Sequence, residues 1–317
     1  MSALRAAIRP LPVILPPMRD ELLSSWLRRH GDFYGATGAT ILRRCLPAMT
    51  SVSAVDAGLA KNDERRLAEL FRCDRQDIRG MTHLRKSRRP GGLIATVNPI
   101  QVCRNCIVRH SATEVTRGAR LCSWMEGWRL SCPLCGTNLE DVRPMHLLSK
   151  VDPGNPLLVQ VAPMARRGEM FMNKVIHAPG RVSTYMVELM RILLLPCEDR
   201  PANHQPGIDI PRLLNLVVPG FDLFMRRHHR YFARPGTLLL TMSVRIPVLA
   251  GLATIVNTPD DWTERLSGAM APQFRNHFAA CLQAAADWRT SKSRASRAVR
   301  SSAANESTRP ARENSHH

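Results

Sequence analysis

Negative charge is scarce in this chain. Of its 317 residues only 26 are Asp or Glu against 45 Lys or Arg, a formal charge of +19, and an excess of that size points to a polyanionic partner, most simply nucleic acid. A long uninterrupted hydrophobic run is also missing. The most membrane-like window, Thr237 to Val256, carries Arg245 and Pro247 at its centre. A central Arg costs ~2.5–3.5 kcal/mol on insertion, so the window reads as a buried segment and no membrane partner is expected. Near the amino terminus, Leu11-Pro12-Val13-Ile14-Leu15 is short, broken by proline and followed by no small-residue cleavage site. A secretory leader is therefore not expected, and a cytoplasmic location is.

Catalytic signatures are absent too. There is no Gly-x-x-x-x-Gly-Lys loop, no Gly-x-Ser-x-Gly elbow and no His-Glu-x-x-His, so ATPase, serine-hydrolase and zincin chemistry lack their parts. A zinc nucleobase deaminase needs His-x-Glu ahead of its cysteine pair, and no His-x-Glu occurs. The sequence reads as a non-enzyme without a small-molecule substrate. Wholesale disorder is excluded by 44% hydrophobic residues, enough for two or three domains in a chain that buries about 75% of its unfolded surface.

What is present is mostly helical periodicity. Arg19 to Tyr34 places Leu22, Leu23, Trp26, Leu27, Phe33 and Tyr34 on one side, with Arg19, Asp20, Arg28 and Arg29 largely on the other. Gly35 and Gly38 punctuate a short segment ending near Leu46-Pro47, and Ser51 to Ala60 reads as another short helix. Leu67, Leu70, Phe71, Ile78 and Met81 then keep helical spacing across a break at Cys73-Asp74, a helix-turn-helix outline in which Asp74 starts the second helix. Such a unit exposes the first turn of its second helix, here Arg75, Gln76 and Arg79, and Arg85, Lys86, Arg88 and Arg89 follow closely. These seven are the candidate nucleic-acid contacts: the first three for bases or phosphates, the basic run for phosphates alone. An ordinary solvated helix face and a basic linker are the plainer alternatives.

Nine cysteines include two Cys-x-x-Cys pairs, Cys103/Cys106 and Cys132/Cys135, with 25 residues between the pairs. Two tight turns that each offer two thiolates can close a tetrahedral zinc site, and four sulfur ligands leave no open position for catalysis. Buried thiols without metal, or a redox dithiol, are the alternatives. His110 and Cys122 are spare ligands nearby, while Cys45, Cys73, Cys197 and Cys281 stand alone. Trp26, Trp124 and Trp128 are expected to pack rather than stack on bases.

Past Val151, prolines at 153, 156, 163 and 179 suggest a loop-rich connector before helical spacing returns at Val182 to Leu195. Leu213 to Val218, Phe221 to Phe232, Thr237 to Val256 and Asp261 to Trp288 are further helical candidates, the last with a stripe of Phe274, Phe278, Leu282 and Ala285. Arg226 to Arg230, with adjacent His228 and His229, reads as a second basic face. From Arg289 large apolar residues nearly vanish, so order is not expected. The expected architecture is mainly α: an amino-terminal helical region with a helix-turn-helix over 1–98, a zinc knuckle over 99–142, a helical carboxyl-terminal domain over 143–288 and a disordered basic tail over 289–317.

Three segments together resemble the TniQ family of transposition targeting proteins. Pro17-Met-Arg-Asp-Glu-Leu-Leu-Ser-Ser-Trp26-Leu27 is similar to its amino-terminal signature, and Leu67-Ala-Glu-Leu to Met81-Thr82 to its helix-turn-helix. Cys103 and Cys106, Gly127-Trp128-Arg129-Leu130 and Cys132-Pro-x-Cys135-Gly-x-x-Leu139 are similar to its zinc module. The likeness covers residues 12 to 142. It departs from the family where Cys135 replaces a usual His, where the common second knuckle is missing after Leu139, and where Cys73 replaces a frequent turn Gly. The resemblance implies an adaptor that recognises DNA or a guide-RNA effector complex and recruits an AAA+ ATPase, which in turn activates a transposase. A helix-turn-helix transcription regulator and a protein-binding scaffold without DNA contact are the alternatives.

Overall fold

The computed structural model describes residues 8–49, 51–83, 92–95, 98–142, 154–178, 181–198, 211–228 and 240–307, with side chains described as far as residue 291. Helices dominate, and the single two-stranded ribbon among the described residues sits at the cysteine pairs.

Helix α1 (Leu23–Phe33) turns its apolar side inward, and α2 (Gly38–Arg43) folds back on it. Gly31 permits the close return, because a Cβ there would meet the Gly38 and Thr37 backbone at 2.5–2.6 Å. A short 3-10 helix, Val52–Ala57, stands where Ser51 to Ala60 suggests a short helix. It is pinned by Asp56, whose carboxylate accepts from the Ser24 N–H and hydroxyl at 2.8 and 2.6 Å. Helices α3 (Lys61–Phe71) and α4 (Arg75–Gly80) are joined by a turn in which Arg72 takes φ +48°. The Asp74 N–H donates to Asp77 at 3.2 Å, fastening the first turn of α4. Trp26, Phe71, Leu23, Leu27, Leu67 and Ile78 form the shared amino-terminal core.

The chain next builds a compact module. Strand β1 (Gln101–Val102) leads into α5 (Arg104–Ser111) and pairs antiparallel with β2 (Glu140–Asp141), in the register Gln101 with Asp141 and Val102 with Glu140. A 3-10 turn at Cys122–Met125 and a hairpin through Ser131 and Asn138 fill the space between.

The carboxyl-terminal helices are α6 (Pro156–Val175), α7 (Val182–Leu193), α8 (Leu213–Val217), α9 (Phe221–His228), α10 (Met242–Asn257), α11 (Pro259–Ala269) and α12 (Pro272–Ser307). The loop-rich connector expected after Val151 is in fact the twenty-residue α6, with Pro156 at its start and Pro163 inside it. Pro163 removes one backbone bond, whose lost acceptor belongs to Val159 on an exposed part of the helix, so the break is solvated rather than buried. Helix α10 is apolar nearly all round and is accordingly wrapped by neighbours. It crosses α6 so closely that a Cβ on Gly168 would collide with the Leu249 carbonyl. The candidate helix from Asp261 to Trp288 is divided at Met270, which is extended just ahead of Pro272. The final stripe behaves as its spacing predicts, with Phe278, Leu282 and Ala285 buried.

Helix α12 runs past Arg289 to Ser307, into the stretch expected to lack order; Ala and Arg are strong helix formers and no proline intervenes before Pro310. Residues 308–317 lie outside the described part. No helix among the described residues is long and apolar enough to cross a membrane.

Candidate metal centre

Local structure delivers the four sulfurs to one point. Cys103 follows β1 and caps α5, and Cys106 lies in the first turn of that helix, so both thiols leave the same corner. The second pair rides the hairpin: the Cys132 N–H donates to the Thr137 carbonyl at 2.8 Å, the Gly136 N–H donates to the Cys132 carbonyl at 2.9 Å, and Gly136 takes φ +75°. That left-handed position closes the turn and suits glycine.

The four Sγ atoms all lie within 4.8 Å of one another, with Cys103, Cys106 and Cys132 buried and Cys135 partly exposed. Individual Sγ–Sγ separations are 3.4 Å for Cys103–Cys135, 3.5 Å for Cys106–Cys132 and 3.9 Å for Cys106–Cys135. Four sulfurs ~2.3 Å from one tetrahedral ion would be ~3.8 Å apart, so this arrangement can hold a metal ion. All nine cysteines are free thiols.

Proton affinities within the cluster are unequal. The Thr137 hydroxyl, followed by its backbone N–H, pushes the Cys135 thiol down to about 6, whereas burial pushes Cys106 and Cys132 up. Buried thiols crowded together resist ionisation without a counter-charge, and a divalent cation supplies one. Thr137, 3.1 Å from Cys103 Sγ and 3.0 Å from Cys135 Sγ, is a site residue that spacing alone does not reveal; its place two residues after Cys135 is the available signal. His110 and Cys122 are not in the cluster, and the Cys122 thiol instead lies 3.6 Å from the Glu21 carbonyl.

The cysteine module is gripped from both sides. On the amino-terminal side the Leu22 N–H donates to the Arg120 carbonyl at 2.9 Å, the Cys122 N–H donates to the Asp20 carbonyl at 2.7 Å, and the Arg120 N–H donates to the Ser25 hydroxyl at 2.8 Å. Ser25 in turn donates to buried Glu21 at 2.9 Å, and Arg29 holds both Glu21 oxygens at 2.8 and 2.6 Å. Trp26 donates its Nε1–H to the Leu15 carbonyl at 2.8 Å. The Glu21, Ser25 and Trp26 of the amino-terminal signature are thus structural, joining α1 to the module and to the strap before it.

On the carboxyl-terminal side Glu169 of α6 accepts from the Leu130 N–H at 2.9 Å, the Ser131 N–H at 3.0 Å and the Ser131 hydroxyl at 3.0 Å. Arg245, fully buried in α10, contacts Gln101 and donates to the Arg129 and Leu240 carbonyls at 2.8 and 2.6 Å. Trp128 is wholly buried and donates to Asn173 at 2.8 Å. Trp26, Trp124 and Trp128 are all packed, as expected.

The candidate nucleic-acid residues are distributed differently. Gln76 is exposed on α4, while Arg75 and Arg79, both partly exposed, turn toward buried Glu64. Arg79 binds Glu64 through Nε at 3.0 Å and Nη2 at 2.6 Å, and Arg75 stands 3.4 Å away. The hydrogen bond from Arg79 holds the Glu64 carboxyl below its usual range despite burial. Arg85, Lys86, Arg88 and Arg89 lie outside the described residues, as do His229 and Arg230 of the second basic face.

Among family models, TniQ matches residues 12–151. That segment contains α1, with its contacts to the module, and the whole cysteine module. Curated proteins and solved structures give no match to the chain.

Proposed function

We propose that this chain, whose residues 12–151 match the TniQ family model, is a non-enzymatic target-selection adaptor in DNA transposition. The TniQ family is associated with transposition machinery, and the four-cysteine module within the matched segment carries the reading. In this proposal Cys103, Cys106, Cys132 and Cys135 hold one zinc ion, whose role is to fix the module's shape; a site closed by four sulfurs has no place for substrate. The fixed module, gripped by Glu21, Ser25 and Glu169, gives the two helical parts a constant separation. DNA or a guide-RNA effector complex binds the basic surfaces, and an AAA+ transposition ATPase docks on the protein.

Gln76 and Arg75 are the residues of α4 best placed to meet a phosphate or base edge, since Arg79 is held bidentately by Glu64. The basic run Arg85, Lys86, Arg88 and Arg89 adds phosphate contacts in the same proposal. A cytoplasmic location, with its reducing chemistry, suits these thiols.

Size-exclusion chromatography of the full chain with an AAA+ transposition ATPase, with and without duplex DNA, tests the reading. A ternary assembly whose DNA affinity falls steeply between about 50 and 200 mM salt is expected. Tight binding to a two-fold operator with no ATPase association would identify a transcription regulator instead, and ATPase association without DNA dependence would identify a scaffold.

A further inference from the structure

A second site lies away from the cysteine module, in a cavity of about 720 Å³ between α6, the end of α10 and α12. Its wall combines cations with aromatic surface. Arg167, Phe171 and Lys174 follow one another at i, i+4 and i+7 and so share one face of α6; Trp288 and Arg289 come from α12 and Asn257 from the end of α10. Trp288 is half-buried, with its ring centroid 5.4 Å from that of Phe171 and the planes at 87°. That contact fixes the indole at the cavity edge.

The charge there is unbalanced. No acidic side chain lines the cavity, and among the described residues neither Arg167 nor Lys174 has a carboxylate partner. Arg289 donates to the Val256 carbonyl, one of the last-turn acceptors of α10 that has no partner within its own helix. This anchor ties the guanidinium to the cavity wall. The volume is in the range of ligand pockets. An aromatic platform edged by cations, with an amide side chain available for hydrogen bonding, matches a planar base joined to a phosphate.

We propose that this cavity takes a nucleotide unit of an unpaired nucleic-acid strand, its base against Trp288 and its phosphates toward Arg167 and Lys174. The proposal deepens the adaptor reading, on which it rests, by giving the carboxyl-terminal helices their own contact with displaced or guide strand. A base paired within a duplex cannot reach the indole without leaving its stack, so the site discriminates strand state.

Fluorescence anisotropy with the full chain and labelled oligonucleotides of about 20 nucleotides tests it. Trp288→Ala is expected to weaken single-strand binding by about tenfold or more while leaving duplex binding within about twofold, and Trp288→Phe should restore most of the loss. Arg167→Gln with Lys174→Gln, which alters surface cations only, should reduce the single-strand salt slope by about 1.4. Equal losses on single strand and duplex, or no loss with either variant, would overturn the cavity assignment while leaving the adaptor reading intact. Wild-type protein that binds neither form would instead remove the nucleic-acid part of the adaptor reading and the cavity assignment together. Displacement of the strand by micromolar mononucleotide would make a free nucleotide the occupant, and equal displacement by polyglutamate would show charge alone; both overturn the proposal.

Discussion

Glu169 offers the sharpest test of how the cysteine module is held. Its carboxylate accepts from two backbone N–H groups and one hydroxyl of the module, and Arg166 stands 3.1 Å from its other oxygen. The group is nearly inaccessible to water. Glu169→Ala leaves the Leu130 and Ser131 N–H donors buried without an acceptor, at about 1–3 kcal/mol each, so a loss of about 2–6 kcal/mol is expected. Glu169→Gln keeps an oxygen that can accept from both donors and removes the charge, so it should cost less, about 1–2 kcal/mol. Urea unfolding measures the total, and amide hydrogen exchange at Leu130 and Ser131 localises it. Protection should fall at these amides first, before the core of α10 exchanges. An alanine variant within about 0.5 kcal/mol of wild type, with unchanged exchange at Leu130, would refute the view that this carboxylate anchors the module.

Further outcomes follow from other contacts. His30 accepts from the Leu15 N–H through Nε2 at 3.0 Å and donates through Nδ1 to the Trp26 carbonyl at 2.9 Å, so it is held neutral and burial lowers its pKa below 6.5. Its contribution to stability is full above pH ~6.5 and is lost as pH falls through the lower folded value. Urea midpoints between pH 7.5 and 5 should therefore decline, and His30→Gln should flatten the decline; an identical slope in the variant would contradict this. Gly168→Ala should destabilise the α6–α10 crossing by about 1–3 kcal/mol, since the Leu249 carbonyl must move; thermal melting at or above the wild-type temperature would count against so close a crossing. Glu64→Gln should weaken its hold on Arg79 and Arg75 and tighten duplex binding by a few-fold at low salt; unchanged affinity would remove α4 from the proposed interface.

The residues that were legible from sequence are those whose chemistry is local. Two Cys-x-x-Cys pairs announce a cluster because each turn by itself presents two thiols, and the structure brings all four together. The amphipathic spacing of Leu67, Leu70, Phe71 and Ile78 likewise announces a buried face. Partnerships over long separations were not legible. Glu169 meets Leu130 across 39 positions and Arg245 meets Gln101 across 144; nothing in either neighbourhood names the other, although an Arg inside an apolar run signals a buried acceptor. Prolines misled at α6, where tertiary packing against α10 outweighs one lost backbone bond. Past Arg289 the backbone stays helical to Ser307, because absence of a core does not cancel the helix propensity of Ala and Arg. At α4, residue type suggested free cations, yet a buried carboxylate eleven and fifteen positions earlier engages Arg75 and Arg79.

In the proposed adaptor one metal ion joins four sulfurs into the block between the helical parts. X-ray absorption of purified chain, with zinc quantified per mole of protein, addresses it directly. One zinc with four sulfur neighbours at ~2.3 Å is expected, falling below stoichiometric occupancy in Cys132→Ser together with lost amide protection across residues 98–142. Fewer than four sulfur neighbours, or metal-free protein with unchanged protection in that segment, would contradict it.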